Sequence, residues 1–497
     1  MKKFWVGIFV VMSCLIGVAN ASAKEEGPEL KFDPNTPTES QPAPKKPFVY
    51  GEEPIGKFGN ENNYIKLGGY GSVRFEYGSG QDLKDTFTFR RLVFTTDARI
   101  ASRFRIYTEL EFERFRKIEL ERAVSTADGG LKIVQEIEGT NKSEIALEQA
   151  WFEFELKKWL RFKGGGVLVP LGRFNINHDD NLWNIARRPL VDRGVPVLAS
   201  TSAWDELGFG LDGDIDLNEK QKLNYQIFVV NGAVLDAALE EVIATRSPKR
   251  DKIEFEGEFG ISTGTFSNDI KNAKTVTGRI MYSPRLGHEF GVSGYWGRYT
   301  PDYLADKSLT SFGFDTLHVF GNFDVEAEYI FTHFGGLRTV MDSFAAAVGE
   351  GKVESVDPGL ESEIVFKQSR LASTKHGYWL ELRYHWRPDC FKNSWLGRHF
   401  SDPHLIPILR WEQAFINDRI TDLVITNGAV TTFTTQNNRV DRLTAGVAFR
   451  LNPLAVFQLA YEFTRTNKGT PLADVVNYLA TPSSSNHAVL FGTSFGF

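Results

Sequence analysis

The chain has 497 residues, a formal charge of −6, 13% aromatic residues including 40 Phe, and a mean hydropathy just below zero. A helical membrane protein of this length would be strongly apolar, so that class is excluded, and the acidic balance argues against a nucleic-acid partner. There are two cysteines, and only Cys390 outlasts removal of the N-terminal segment, which excludes an internal disulfide framework.

Residues 1–23 read as an export signal. Lys2 and Lys3 precede an apolar core over 4–18, and Ala21-Ser22-Ala23 supplies small residues for cleavage. Cleavage after Ala23 is expected, with Ala21 as the alternative; Cys14 offers the competing reading of a lipid acceptor. Residues 24–61 hold Pro28, Pro34, Pro37, Pro42, Pro44, Pro47 and Pro54 among polar residues. Such a stretch cannot bury enough surface to order itself and is expected to be a flexible periplasmic tether. It carries no heptad pattern for a coiled coil.

Residues 62–497 read as one barrel domain. Alternating segments are expected at 63–77, 86–100, 102–114, 143–157, 160–169, 206–217, 221–231, 273–284, 287–299, 308–320, 323–335, 375–387, 405–417, 438–450, 453–466 and 486–497. In 102–114, Phe104, Ile106, Leu110 and Phe112 alternate with Arg103, Arg105, Glu109, Glu111 and Glu113. In 86–100 the apolar phase switches at Arg90-Arg91, which predicts a bulge. The even-numbered connections are mostly short and the odd-numbered ones mostly long, including 115–142, 170–205, 232–272, 336–374, 418–437 and 467–485. The brief ninth connection and the long twelfth depart from this.

The last segment sets Val489, Phe491, Phe495 and Phe497 against Ala488, Leu490, Gly492 and Ser494. Closing a barrel in lipid gives that edge a partner and its aromatic face hydrocarbon. An alternating final strand ending in Phe resembles the C-terminal signature of bacterial outer-membrane barrels, so Phe495 and Phe497 are candidates for a signal to the barrel-assembly machinery. Trp151, Trp159, Trp296, Trp379, Trp386, Trp395 and Trp411 fall near segment ends, as interfacial girdles do. The fold expected is all-β: a transmembrane antiparallel barrel of about 16 strands, with 18 the alternative, long external loops and short periplasmic turns. It is expected in the outer membrane of a Gram-negative-type bacterium.

The loop 170–205 is a dense mixture of Arg, Asp, Asn and Trp. A barrel this wide needs a loop folded inward to narrow it, so this loop is the candidate constriction. The runs Gly164-Gly165-Gly166-Val167-Leu168-Val169-Pro170-Leu171-Gly172-Arg173, Arg188-Pro189-Leu190-Val191-Asp192-Arg193 and Leu207-Gly208-Phe209-Gly210 resemble the phosphate-selective porin O/P family. That resemblance implies a passive, homotrimeric channel for small hydrophilic solutes, with lumen arginines and a lysine cluster preferring anions or phosphate. Candidates for such a role are Arg173, Arg187, Arg188 and Arg193 in the loop and Arg103, Arg105, Arg383, Arg442 and Arg450 on lumen faces. Many carboxylates, among them Glu109, Glu111, Glu153, Glu326, Glu328 and Glu381, stand against them, and the loop has no lysine cluster. The arginines therefore have two readings: anion ligands, or ion-pair partners bracing the loop.

Other chemistry finds little support. His178-Asp179-Asp180 lacks spaced partners, and His376, His385, His399 and His404 lack a ligand spacing, so no metal site is expected. No Gly-x-Ser-x-Gly elbow precedes a helix and no phosphate-cradling loop is present, so neither an enzyme nor a cofactor is expected. The competing functions are a general or weakly cation-preferring porin, a non-conducting surface or adhesion barrel, and a secreted β-rich protein.

Overall fold

The computed structural model describes residues 56–59, 63–78, 86–113, 118–127, 130–139, 144–192, 197–200, 203–241, 252–263, 270–353, 361–367, 371–395, 397–398, 400, 402–467 and 485–497. The signal segment, most of the tether and Arg193 lie outside these residues.

Sixteen strands close into one antiparallel barrel. They are β1 (Tyr64–Gly78), β2 (Thr86–Arg99), β3 (Phe104–Glu113), β4 (Glu144–Lys157), β5 (Leu160–Leu168), β6 (Asp205–Asp216), β7 (Lys222–Val230) and β8 (Thr275–Arg285). The second half is β9 (His288–Arg298), β10 (Ser308–Phe320), β11 (Phe323–Phe334), β12 (Ala372–Tyr384), β13 (His404–Thr426), β14 (Ala429–Asn452), β15 (Ala455–Thr466) and β16 (Ser485–Gly496). Each expected segment corresponds to one of these strands, and each strand pairs with its sequence neighbour in the barrel. The ring closes where β16 pairs with both β15 and β1.

Alternation explains why these segments become wall. In β15, Phe457, Leu459 and Tyr461 stand exposed on the outside, while Val456, Gln458, Ala460, Glu462 and Thr464 are buried inside. The same split recurs around the ring, with Phe209, Leu211, Ile227, Val292, Phe314, Leu382, Leu409 and Leu443 all exposed outward. An apolar band that encircles a polar interior suits lipid outside and water inside.

Two bulges adjust what the interior receives. Ser72 and Val73 of β1 oppose Arg91 and Phe89, leaving Arg90 as the extra residue of β2. Arg90 and Arg91 consequently both bond into the lumen. Between β3 and β4, Glu109 and Leu110 oppose Gln149 and Leu147, leaving Glu148 extra; it is buried while Leu147 is exposed.

The loop end holds more structure than was expected of it. Residues 115–142 contain a hairpin of Ile118–Ala127 with Gly130–Gly139. Residues 418–437, read as a loop, instead continue β13 and β14 as a long hairpin whose tip, Asn427-Gly428, has φ of 49° and 77°. Positive φ at both tip residues is the turn that matches strand twist. Strand Glu361–Lys367 pairs antiparallel with that extension and parallel with Lys252–Ser262, itself paired with Val234–Glu241. After the single-turn helix α1 (Arg173–Ile176), helix α2 (Leu337–Gly349) buries Leu337, Val340, Met341, Phe344, Ala345 and Val348. Phe344 meets Phe259 at 5.2 Å, and Phe259 stacks on Phe366 at 4.0 Å.

At the other end, the last part of the expected tether, Gly56–Gly59, is a short strand paired with Tyr64–Leu67. The long twelfth connection holds the short helix Asp389–Asn393.

Candidate functional site

The loop after β5 runs through the barrel interior, fixed at both ends of its path. Gly172, with φ 75°, passes so close to Glu328 that a Cβ would stand 2.3 Å from its Oε1, which explains a glycine there. Its N–H donates to Ser293 Oγ at 3.0 Å. The next two amides, of Arg173 and Phe174 in the single-turn helix Arg173–Ile176, donate to Glu328 Oε2 at 3.0 and 2.8 Å. Asn175 ties the loop's two limbs together. Its Nδ2 donates to the Val169 carbonyl at 2.8 Å, while its Oδ1 accepts from the Trp204 amide at 3.0 Å.

Farther on, inward-facing side chains of the opposite wall grip the loop's main chain. Arg450 donates to the carbonyls of Asn181, Leu182 and Trp183, and Gln458 adds a second bond to Trp183 at 2.8 Å. Arg74, Arg410 and Arg442 hold the carbonyls of Ala186, Arg187 and Arg188 at 3.0, 2.9 and 2.6 Å. The Leu190 amide donates to Glu412 Oε1 at 2.8 Å. Ala186 lies directly against Gly492 of β16, where a Cβ would sit 2.6 Å from the Ala186 Cβ.

Six of the arginines singled out from sequence, namely Arg105, Arg173, Arg187, Arg188, Arg383 and Arg442, are paired with carboxylates. Arg173 reaches Glu289 at 2.5 Å and Glu326 at 2.6 Å. Arg187 meets Glu462 at 2.7 Å, Arg383 meets Glu326 at 2.6 Å, and Arg442 meets Glu412 at 2.6 Å. Arg188 lies 3.5 Å from Asp192 and over the Trp183 ring at 5.0 Å. Arg105 pairs with Asp97 at 2.8 Å near the short-turn end, over the Trp151 ring. Arg103 requires a correction: it sits exposed in the tight turn between β2 and β3, where the chain reverses and the inward alternation has not begun. Phe495 and Phe497 lie on the closing seam. Phe497 exchanges backbone hydrogen bonds with Gly69 at 3.0 and 3.1 Å.

Sequence reasoning weighed Asp180 only as part of a metal triplet and missed that the loop is organised around its carboxylate. Asp180 Oδ2 accepts from Ser72 at 2.7 Å and Arg90 at 2.9 Å, with Arg91 at 3.7 Å and Arg188 at 3.9 Å from Oδ1. Burial opposes ionisation of Asp180, yet Arg90, Arg91 and Arg188 together hold its carboxyl well below the usual carboxylate range. Burial likewise opposes the charge on Arg173, and Glu326 and Glu289 outweigh it to raise that guanidinium further. Arg410 with Glu381, at 2.5 Å, was also missed, although both face inward by simple alternation.

An apolar cluster completes the interior toward the loop end. It joins Leu171, Phe174, Trp183, Leu190, Val191 and Trp204 of the loop region to α2 and to Trp379, Ile416 and Val440 of the wall.

No protein-family model matches the chain. An uncharacterized protein of Aquifex aeolicus is 20% identical over 244 residues, covering 46% of this chain and 50% of that protein. The match thus spans about half the length of that curated relative. Among solved structures, the chain is similar to OmpF of Salmonella typhi in complex with daunomycin. There the identity is 11% and the TM-score 0.48, over 89% of this chain and 100% of that one. An anion-selective porin from Comamonas acidovorans gives 8% identity and a TM-score of 0.47 over 88% and 100%. The outer-membrane channel DcaP of Acinetobacter baumannii gives 10% and 0.43 over 89% and 100%.

Proposed function

We propose that the protein is an outer-membrane porin through which small hydrophilic solutes diffuse passively, with the loop 170–205 as its constriction. The observation that carries this reading is a lipid-compatible exterior around a polar interior, crossed by a loop hydrogen-bonded to the wall. The work is physical: the loop narrows the path and the charge around it biases which ions pass.

The charge preference follows from how the arginines are used. Arg187, Arg383, Arg410 and Arg442 each have a carboxylate close by, and Arg74, Arg410, Arg442 and Arg450 hold loop carbonyls. Among the described residues, buried carboxylates outnumber buried Arg and Lys side chains. A general or weakly cation-preferring pore therefore fits better than the anion or phosphate preference implied by the family resemblance. A homotrimer and handling by the barrel-assembly machinery accompany the porin reading.

Reversal potentials in a salt gradient across planar bilayers test it. A conducting channel with weak cation preference, unchanged by phosphate, is expected. Anion preference with block by phosphate would restore the phosphate-selective reading. The apolar cluster toward the loop end favours a second reading, a plugged surface barrel, and absence of any conductance would establish that instead.

A further inference from the structure

Among the described residues, one group brings three metal-ligating side chains together: Glu109, Glu148 and His178, whose ligand atoms lie within 4.8 Å of one another. All three are buried. They come from three places in the chain, namely β3, the bulge in β4, and the loop inside the barrel. Without the extra residue of that bulge, Glu148 would alternate away from the lumen. The sequence triplet His178-Asp179-Asp180 looked unpromising because its partners are not near it in sequence; two of them stand on the wall.

The donor geometry is that of a ligand set. His178 Nδ1 lies 2.8 Å from the Asn175 carbonyl. A proton on Nδ1 donated to that carbonyl turns the Nε2 lone pair toward the carboxylates, the arrangement that commonly orients a metal-binding imidazole. Nε2 stands 3.0 Å from Glu148 Oε2, so two lone pairs face each other and need a cation or proton between them. Glu109 supplies the independent observation. Its Oε2 accepts from neutral donors, Gln149 at 2.6 Å and Tyr107 at 3.3 Å, while its Oε1 is buried without a hydrogen-bond partner. A carboxylate only 1% exposed, with an unused oxygen beside a second carboxylate, is costly to bury unless a cation compensates it. Asp179 Oδ1 lies 3.7 Å from His178 Nε2 and offers a fourth donor atom.

We propose that Glu109, Glu148 and His178 form a site for a divalent transition metal of the zinc class, which clasps the loop to the barrel wall. One imidazole nitrogen with carboxylate oxygens suits Zn²⁺ better than Ca²⁺ or Mg²⁺, which favour all-oxygen shells. The site stands whether or not the barrel conducts.

The test uses the detergent-solubilised protein, stripped with chelator and titrated with Zn²⁺ by calorimetry, with Co²⁺ absorption as a second readout. We expect one Zn²⁺ per chain and affinity weakened about tenfold or more in His178→Ala and in Glu148→Gln. Both variants should keep the heat-shifted gel mobility of a folded barrel. The Co²⁺ bands should change in His178→Ala. Should either variant fail to fold, Glu109→Gln, whose side chain keeps its shape, takes its place. No Zn²⁺ uptake by the wild type would overturn the proposal, as would uptake that the variants leave unchanged.

Discussion

Asp180 sits under three guanidiniums and one hydroxyl, and its neighbours decide how the loop responds to acid. Its carboxyl is held below its ordinary value, so the contact is fully present above the unfolded value near 3.9 and is lost only as pH falls through the lower folded value. Asp180→Asn removes the charge at every pH and leaves Arg90, Arg91 and Arg188 facing a neutral amide. Breaking a buried pair of this kind costs about 3–5 kcal/mol, and the variant should show a looser loop and an altered single-channel conductance. The difference in conductance between wild type and variant should persist from neutral pH down to about pH 4. A difference that vanished near pH 6 would show that Asp180 is not the charge holding the loop.

At the scale of elements, the loop and the wall meet through small residues. Gly492 faces inward on β16, and Ala186 occupies the space its side chain would take. Gly492→Val should push residues 184–187 off the wall at a cost of about 1–3 kcal/mol. The barrel should still show heat-shifted mobility while its conductance changes; an unaltered conductance would mean that the loop is not seated there. The elements themselves were largely legible, because period two repeats along the chain and links alternate in length. The bulge at Arg90 was legible too, since two successive arginines broke the phase. Helix α2 was missed although Leu337, Val340, Met341, Phe344 and Val348 follow helical spacing. The long β13–β14 hairpin was missed although Asn427-Gly428 marks its turn. What no spacing rule reveals is the lumen pairing: Leu190 with Glu412, or Arg442 with the Arg188 carbonyl, joins residues more than two hundred positions apart.

For the whole molecule, closure depends on a seam where aromatic side chains lie over glycines. A Cβ on Gly71 would stand 2.6 Å from the Phe495 ring, and one on Gly69 would stand 2.8 Å from the Phe497 ring. Phe497 also continues the β1–β16 pairing through both its backbone bonds to Gly69 and rests edge-on against Phe94. Deleting Phe497 should reduce the yield of heat-shifted, membrane-inserted barrel, while the reversal potential of molecules that do insert should match the wild type. Normal insertion by the truncated chain would remove Phe497 from any assembly role.

Six carbonyls between Asn181 and Arg188 are held by wall side chains. A carbonyl is the one acceptor that every residue carries whatever its side chain. The mounting of this segment is thus largely indifferent to what its exposed side chains are, and a position such as Leu182 is free to vary without releasing it. Under the proposed porin function, changing a few exposed residues of the loop would retune what passes, while the scaffold that grips it stays fixed.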